Sequence, residues 1–462
     1  MNFVEGVIYD GLLFSENENI PVKVGYASNT SLFIKFLFRK KFIKGKKFRN
    51  FTIQLQNRAM ELGECVLLPG NVSPHFHGKI VFTANVYDFY SLFREGVLAD
   101  AKSFFQGLPV MLDLKNKVKK EFSEYISNLS YNLNVYRKYF DDIDFKNSKE
   151  PEDVLPVIQQ ALIDTEGRRF LNFFNEQLKV LKDLVRGYSR EEHELHAYYL
   201  RRQLNGVITA SAFLKHSNMR PRGFAGDSKL MSMIYRNEYE GATVFQKMLH
   251  KHAVDSAAAR AVRNQKKLVA DLVFQTEKNL KLSRKNVKIL SVGCGPAAEL
   301  ENILLTPDIC ERFHFTLLDQ DIQALEEASV NIKNISLRKG VEPNHRFVSE
   351  SVRTMTGISD LASEWGTFHF IYALGLLDYL NDCVAAVLIE KLYQLLEPGG
   401  MLLAGNFHGQ NPDRTYMDYW MDWPLVYRNE KKMLSFAAQT EGETEIFFDD
   451  TKSQMFLKIT KS

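Results

Sequence analysis

The fold is decided by residues 288–297, which read KILSVGCGPA. An apolar, strand-like run ends at Val292 and passes directly into the turn Gly293-Cys294-Gly295. Glycines suit a sharp strand-to-helix turn, because a Cβ there would obstruct the close approach of a ligand to the backbone. The helix N-terminus behind such a turn also offers free N–H groups. Taken alone, the turn is equally typical of a ligand cradle and of an ordinary loop.

An acidic residue follows at the spacing that a nucleotide cradle requires. The next strand-like run, 315–318, ends in Asp319, which lies 24 positions after Gly295. A carboxylate at the tip of the second strand can accept hydrogen bonds from ribose hydroxyls. The alternative is that Asp319 caps a helix beginning near Asp321. The turn and the spacing together favour ribose binding.

Residues 287–406 alternate between strand-like and helix-like patterns. The strand-like runs are 287–292, 313–318, 346–348, 368–372 and 400–406, and the helix-like runs are 297–305, 321–333 and 383–396. This β-α-β alternation predicts a parallel sheet covered by helices. We therefore predict an α/β, Rossmann-like domain over residues 285–462.

Five segments in this order resemble the motifs of class I S-adenosylmethionine-dependent methyltransferases. They read ILSVGCGPAAEL at 289–300, LLD at 317–319, HRFVSESV at 345–352, FHFIYALG at 368–375 and LLEPGGMLL at 395–403. A dinucleotide-binding site is the alternative, because its fingerprint G-x-G-x-x-G/A allows an alanine at its third position, here Ala298. The five ordered segments match methyltransferases better. The fourth strand of the superfamily often begins with Asp, and His369 stands near that place here.

The resemblance implies a seven-stranded, mostly parallel sheet, S-adenosyl-L-methionine as the cofactor and transferase activity. It also implies a set of donor-binding residues at the turn and at the ends of the following strands. These are Gly293, Gly295, Pro296, Asp319, Gln320, Ser351, Val352 and Leu374.

Acceptor-side residues are expected where the fourth and fifth strands end, since ligands lie at the carboxyl ends of strands in open α/β sheets. We predict catalytic roles for Tyr372, Asp378 and His408, and substrate contacts for Tyr379 and Asn406. A hydroxyl or amine acceptor needs a base, for which His408 is the main candidate, whereas a carboxylate acceptor needs none. The alternatives are that His408 packs on an aromatic neighbour and that Asp378 caps the next helix.

A glycine-containing segment upstream of the sheet is a candidate lid. Residues 220–235 read RPRGFAGDSKLMSMIY, in which Gly223 and Gly226 permit a tight loop and Asp227 can cap the following helix. Arg222 could bind a substrate carboxylate through two hydrogen bonds. The alternative is a plain turn between helices that carries surface arginines.

A second set of segments resembles bacterial methyltransferases described as making the methyl ester of 3-hydroxypalmitate, a quorum-sensing signal. The matching segments are RGFAGD at 222–227, IY at 234–235, AVRN at 261–264, LGLLDYL at 374–380, NP at 411–412 and DW at 422–423. This resemblance implies carboxyl O-methylation of a fatty acid or a similar amphiphile. Methylation of another metabolite at N or O is the alternative.

The first 284 residues divide into two regions by pattern. Residues 1–92 carry short apolar runs between turn residues, which predicts a small antiparallel β-barrel or sandwich. Residues 93–284 are mainly helical in pattern, with a break between helices expected in the polar stretch 141–152. The strand NTSLF at 29–33 resembles a PilZ-type barrel, although Ile34 replaces the family's glycine and no arginine precedes the motif. These departures argue against cyclic di-GMP binding and favour a degenerate barrel that serves protein contacts or substrate capture. A regulatory binding protein on a methyltransferase scaffold is therefore the second functional hypothesis.

Composition excludes several other classes of function. The net charge of +3 over 462 residues gives no basis for nucleic-acid binding. The four cysteines form no CxxC pair, and the histidines of HELH at 193–196 are three apart rather than four, so no metal site is predicted and this helix is expected to be solvated. No apolar run is long enough to span a membrane, and a cytoplasmic location, with a homodimer left open, is the expectation.

Overall fold

A computed structural model describes residues 8–15, 19–28, 31–36, 46–55, 58–68, 78–83, 87, 115–280, 286–357 and 361–462. The chain divides into two compact units, residues 1–117 and 118–462. Each unit is described by itself.

The first unit contains an antiparallel sheet of eight strands in the order β4-β7-β8-β3-β2-β1-β5-β6. The strands are β1 (Ile8–Phe14), β2 (Asn19–Ser28), β3 (Ser31–Phe36), β4 (Lys47–Phe48), β5 (Asn50–Leu55), β6 (Arg58–Glu61), β7 (Cys65–Leu68) and β8 (Gly78–Phe82). Apolar runs at 22–26, 32–38, 51–55, 65–68 and 79–82 predict strands that overlap β2, β3, β5, β7 and β8, whereas no run predicts β4 or β6, which are short. A further run at 3–9 overlaps β1 only at residues 8 and 9. Residues 3–7 of that run and residues 29 and 30 of the PilZ-like motif lie outside the described residues.

Helices form the first half of the second unit. They are α1 (Lys120–Lys146), α2 (Leu155–Leu162), α3 (Arg168–Leu184), α4 (Arg190–Gln203), α5 (Asn205–Ile208), α6 (Ala212–Met219), α7 (Ser228–Arg236), α8 (Val244–Val254) and α9 (Ala257–Asn279). A single π-helical turn, Ile163–Gly167, joins α2 to α3. Asp227 caps α7 as expected, because its carboxylate accepts a hydrogen bond from the N–H of Leu230.

The break between helices expected in the polar stretch 141–152 is present, but it begins later than the polar residues do, because α1 extends through residues 141–146 and residues 147–154 separate it from α2. Helix α1 continues to Lys146 because Phe140 is buried and Asp144 is held in place. The Asp144 carboxylate accepts hydrogen bonds from the Val244 N–H at 2.7 Å and from the Gln159 amide at 2.8 Å. Tertiary contacts here override the weak helix propensity of the aspartates.

The second half is a seven-stranded sheet in the order β11-β10-β9-β12-β13-β15-β14. Its strands are β9 (Val287–Val292), β10 (Phe313–Asp319), β11 (Asn344–Ser349), β12 (Phe368–Ala373), β13 (Leu396–Phe407), β14 (Glu443–Phe448) and β15 (Gln454–Thr460). Strands β9 to β13 pair in parallel, and β15 is antiparallel to both of its neighbours. The predicted seven-stranded, mostly parallel, Rossmann-like sheet is thus confirmed.

Helices cover both faces of this sheet, since alternate residues of each strand point to opposite sides. On β9, Ile289 packs with helices α9 and α12 (Ile322–Lys339), whereas Leu290 packs with α15 (Asp382–Gln394) and α17 (Glu430–Ser435). The remaining helices are short. They are α10 (Leu300–Ile303), α11 (Pro307–Arg312), α13 (Val352–Gly357), α14 (Leu361–Trp365) and α16 (Arg414–Tyr419).

The helical half and the end of the chain share one apolar core. Buried side chains of α1 and of α3 to α9 pack with seven buried side chains at the end of β13 and beyond it. These seven are Phe407, Tyr416, Met417, Tyr419, Trp420, Met421 and Trp423. Within the described ranges, no helix has both the length and the apolarity needed to cross a membrane.

Candidate active site

The glycine turn closes onto the neighbouring strand. The N–H groups of Gly293 and Cys294 donate to the Leu318 carbonyl at 2.8 and 2.9 Å. Gly293 and Gly295 have φ values of 69° and 52°, which glycine adopts without strain. The third left-handed residue is Ala297, with φ 50°, and not Ala298. The turn therefore delays the next helix, and the predicted helix at 297–305 shortens to Leu300–Ile303.

Asp319 connects this turn to the start of the next helix. Its two carboxylate oxygens accept hydrogen bonds from the N–H groups of Gly295 and Asp321, each at 2.9 Å. Burial raises the pKa of Asp319. Asp321 is the residue that caps α12, because its side chain accepts from the Gln323 N–H at 2.9 Å. Helix capping therefore does not account for Asp319.

A cavity of about 570 Å³ opens at the carboxyl ends of β9, β10 and β12. Every residue that the sequence analysis predicted to bind the donor lines it: Gly293, Gly295, Pro296, Asp319, Gln320, Ser351, Val352 and Leu374. The predicted lid segment contributes Phe224, Gly226, Ser228, Met231 and Tyr235 to the same cavity. Of the acceptor-side predictions, Tyr372, Asp378 and Tyr379 also line it.

Tyr372 bonds a buried carboxyl that the sequence analysis did not single out. Its hydroxyl donates to the Glu299 carboxylate at 2.5 Å, and both residues line the cavity. Burial raises the pKa of Glu299 and holds that of Tyr372 well above its ordinary value. Glu299 lies in the segment ILSVGCGPAAEL at 289–300. An acidic residue in this otherwise uncharged segment is the sequence feature that could have indicated a role in the site.

Asp378 lies in the 3₁₀ turn Leu377–Tyr379 that follows β12. Its carboxylate is buried and accepts a hydrogen bond from the Phe407 N–H at 2.7 Å. Burial raises the pKa of Asp378 to about 7. Asn381, and not Asp378, caps α15, because the Asn381 side chain accepts from the Val384 N–H. The capping alternative for Asp378 therefore does not hold.

Arg428 fixes the loop that carries Asp378, although no sequence pattern indicated it. Its guanidinium is buried and donates to the carbonyls of Leu377 and Leu380 at 2.8 and 2.6 Å. It also donates to the side chains of Asn406 and Asp382 at 2.6 and 3.0 Å. Arg428 thus joins the loop after β12 to the end of β13.

Asn406 and His408 do not line the cavity. Asn406 is fully buried, and its amide donates to the carbonyls of Phe407 and Val426. The His408 ring is buried, contacts Phe448 edge-on and accepts a hydrogen bond from the Gln410 N–H. The structure gives His408 the surroundings of a packed loop histidine and does not bring it together with Tyr372 and Asp378.

Arg222 also lies outside the residues that line the cavity. Its guanidinium donates to Ser228 at 2.5 Å and to Asp321 at 3.1 Å, and it pairs with Glu327. These partners connect the lid segment to helix α12. The guanidinium therefore pairs with carboxylates of the protein itself and not with a substrate carboxylate.

Gly226, in the lid segment, packs against Tyr379 and Trp423, two aromatic side chains that line the cavity. Its φ is 154°, and an added Cβ would lie 2.2 Å from the Tyr379 hydroxyl and 2.8 Å from the Trp423 ring. Those two side chains are hydrogen-bonded to each other at 2.8 Å. The close contact leaves no room for a side chain at this position.

We expect Gly226→Ala to weaken donor binding about tenfold or more. Backbone strain at this position and displacement of the Tyr379 and Trp423 side chains together cost about 1–3 kcal/mol. The measurement is a calorimetric titration with S-adenosylhomocysteine. The control is Gly223→Ala, which has the same kind of strained φ of 88° but no neighbour within 4 Å. Equal losses in both variants would contradict a role for the contact.

Asp378 gives a second prediction, on stability against pH. The folded pKa of about 7 exceeds the ordinary value of 3.8, so folding favours the protonated form. This contribution is fully present below the ordinary value and is lost as the pH rises through 7. Relative to Asp378→Asn, the wild type should lose about 2–3 kcal/mol of unfolding free energy between about pH 5 and pH 8. Parallel urea titrations of both proteins across this range measure it, and parallel curves would show that the prediction is wrong.

Across the described ranges, no three His, Cys, Asp or Glu side chains group as metal ligands. The HELH segment lies in α4, but its expected solvated character is wrong for His196. That ring is buried, and its Nε2 accepts a hydrogen bond from the Lys119 N–H at 3.1 Å. His193 bonds the Tyr419 hydroxyl at 2.9 Å. Packing against α16 and the start of α1 explains both histidines.

The strand order, with an antiparallel seventh strand, and the glycine turn over a carboxyl-end cavity define a methyltransferase-type α/β fold. The chain belongs to the protein family described as "Putative methyltransferase", whose model matches residues 174–407. The matched region includes the lid segment, the glycine turn and strands β9 to β13. The protein is therefore a methyltransferase enzyme by family.

Solved structures of low similarity accompany this match. A protein of Bordetella parapertussis described as a "possible exported protein" is 14% identical over 62% of this chain and 94% of its own, with a TM-score of 0.40. The magnesium protoporphyrin IX methyltransferase of Synechocystis, with bound S-adenosylmethionine, is 13% identical over 44% and 84%, with a TM-score of 0.31. The N-methyltransferase NodS of Bradyrhizobium japonicum, in complex with S-adenosylhomocysteine, is 15% identical over 45% and 89%, also with a TM-score of 0.31. No curated protein matched the sequence.

Proposed function

We propose that the protein transfers a methyl group from S-adenosyl-L-methionine to a small or amphipathic acceptor. The observation that carries this proposal is the single cavity lined by all eight predicted donor-binding residues. Its polar end, formed by the turn at 293–297 with Asp319 and Gln320, suits a ribose and an amino-acid moiety. The fold and the family membership support the same donor.

The residues of the chain would act mainly by positioning and by excluding water. When bound, the donor supplies an electrophilic methyl group on sulfur. Asp319 would accept hydrogen bonds from the ribose hydroxyls while it keeps the turn closed at Gly295. The lid residues Phe224 and Met231 would shield the reacting groups from solvent. Tyr372, near the end of β12, and Asp378, in the turn that follows it, would face the methyl group and the acceptor.

The sequence resemblance favours a fatty-acid carboxyl group as the acceptor. Apolar side chains such as Leu376, Leu380 and Leu425 line the cavity and would suit an alkyl chain. The carboxylate itself is less well supported, because Arg222, its predicted partner, is already paired with Asp321 and Glu327. The cavity therefore supports an amphipathic acceptor more firmly than it supports an acidic one.

Two measurements on the full chain test the function. We expect S-adenosylhomocysteine to bind with 1:1 stoichiometry in a calorimetric titration, and donor carrying a labelled methyl group to label a small molecule of a cell extract. Binding without any transfer would favour the second hypothesis, a regulatory protein that keeps the fold as a cofactor-responsive scaffold. Absence of binding would refute both.

The N-terminal unit would then be a separate accessory module. We propose that its sheet is barrel-like, in line with the division of the chain at about residues 92 and 284. Support comes from β4 and β5, which are separated by Arg49 alone. Strand β4 lies at one end of the strand order and β5 lies near the other, beside β6. Because consecutive Cα atoms are about 3.8 Å apart, this connection brings the two ends of the sheet close together.

A further inference from the structure

The charged groups that line the cavity are all of one sign. Five carboxyl side chains line it, and no Lys, Arg or His does so among the residues that the structure describes. The five are Glu299, Asp319, Asp321, Glu350 and Asp378. A concave site lined by one sign of charge attracts ligands of the opposite sign and repels ligands of the same sign.

The protein's own contacts neutralise only part of this charge. Asp321 is paired with Arg222 at 3.1 Å, and Asp319 is bonded to two backbone N–H groups. Glu299 accepts from the Tyr372 hydroxyl, which carries no charge. A bound methyl donor carries one net positive charge, from its sulfonium and ammonium groups against its carboxylate. Because burial raises the pKa of Glu299, Asp319 and Asp378, these carboxyls carry less than their full formal charge, and the cavity stays acidic rather than cationic when the donor is in place.

The lining of the cavity is aromatic as well as acidic. Its aromatic side chains include Phe224, Tyr235, Tyr379, Phe407 and Trp423. Aromatic faces attract alkylammonium groups through cation–π contacts, and such contacts strengthen where water is excluded. A desolvated carboxylate ligand would find neither a cation nor an open N–H on Trp423, whose indole already donates to Tyr379.

We propose, on the basis of the methyltransferase function above, that the acceptor is an amine carried on an apolar body and that Asp378 receives its proton. The acceptor would bind as its ammonium ion, which has no lone pair, so it first gives one proton to the Asp378 carboxylate. The freed lone pair then attacks the methyl carbon, and the N–CH₃ bond forms as the C–S bond breaks. The bonding electrons leave with sulfur to give the neutral thioether, the product keeps the positive charge as a methylated ammonium ion, and Asp378 passes its proton to solvent.

An amine fits this site better than a hydroxyl does. An alcohol attacks well only if a positioned base removes its proton during the attack. His408 lies outside the cavity lining, which leaves Asp378 as the candidate base, and a neutral hydroxyl gains nothing from an acidic lining that attracts an ammonium ion. An amine becomes nucleophilic once Asp378 has taken one proton from its ammonium form, and no second proton has to leave during the attack.

Three ligands with the same eight-carbon chain test the proposal: octylamine, octanol and octanoate. Each is titrated calorimetrically into the full-length protein saturated with S-adenosylhomocysteine. We expect octylamine to bind about tenfold or more tightly than octanoate, with octanol between them. Asp378→Asn should weaken octylamine binding about tenfold and leave octanol binding nearly unchanged. If that variant does not fold, the wild-type ligand order still decides the matter.

Octanoate binding as tight as that of octylamine, or no measurable octylamine binding, would overturn the amine proposal. The first result would instead support the fatty-acid acceptor that the sequence resemblance favours. Failure of S-adenosylhomocysteine to bind in the first step would overturn the proposed function itself. The two failures are therefore distinguishable within one experiment.

Discussion

Arg428→Met should destabilise the second unit by about 3–5 kcal/mol, the range measured when one partner of a buried charged network is removed. The guanidinium donates to two carbonyls and two side chains while almost fully buried. Methionine fills a similar volume but leaves the carbonyls of Leu377 and Leu380 and the Asn406 amide oxygen without their donor. Urea unfolding monitored by tryptophan fluorescence measures the loss.

Two variants control this result. Arg190→Met removes an arginine whose side chain is 91% exposed and pairs only with Glu194, so a change within about 0.5 kcal/mol is expected. Arg428→Lys keeps the charge but cannot reproduce the planar set of donors, and it should recover only part of the stability. A stability of Arg428→Met within 1 kcal/mol of the wild type, on the order of a surface change, would show that the network is not required.

Asp319→Ala should lower the affinity for S-adenosylhomocysteine about a hundredfold, equivalent to about 2.7 kcal/mol. Two effects contribute. The ribose loses its charged acceptor, and the N–H groups of Gly295 and Asp321 lose the carboxylate that holds the turn and the helix start. Calorimetry on the folded variant, verified by its circular dichroism spectrum, gives the affinity.

Asp308→Ala is the matched control for this substitution. Asp308 is 77% exposed and pairs only with Arg312, beyond the cavity lining. We expect donor affinity to be unchanged in this variant. Unchanged affinity in Asp319→Ala as well would mean that the ribose is bound elsewhere.

The sheet and the donor half of the site were predictable because their signals are local. A strand, a glycine turn and a helix are encoded in consecutive residues, and the acidic tip at Asp319 follows at a fixed spacing. The strand bounds from β9 to β12 accordingly agree with the sequence-based runs within about two residues. The hairpin of β14 and β15 was predicted only through the strand number that the family resemblance implied.

The acceptor half was harder to predict because its contacts join residues far apart in sequence. Arg428 reaches Leu377 and Asn406 across 51 and 22 positions, and nothing near Arg428 marks that role. His408 follows β13, where ligands commonly lie, yet its ring turns to Phe448. The sequence does not show that the Arg222 guanidinium forms ion pairs with Asp321 and Glu327, which lie 99 and 105 positions further along the chain.

The apolar core shared by the helical half and residues 407–423 limits how chimeras of this protein can be built. Trp420 and Tyr419 follow the fifth strand but are fully buried against α1, α3 and α4. A relative's helical half joined to this sheet would meet aromatic side chains shaped for another partner. The segment 407–423 and the helices before the sheet must therefore come from the same parent protein. A chimera that tests acceptor choice should exchange both of them together.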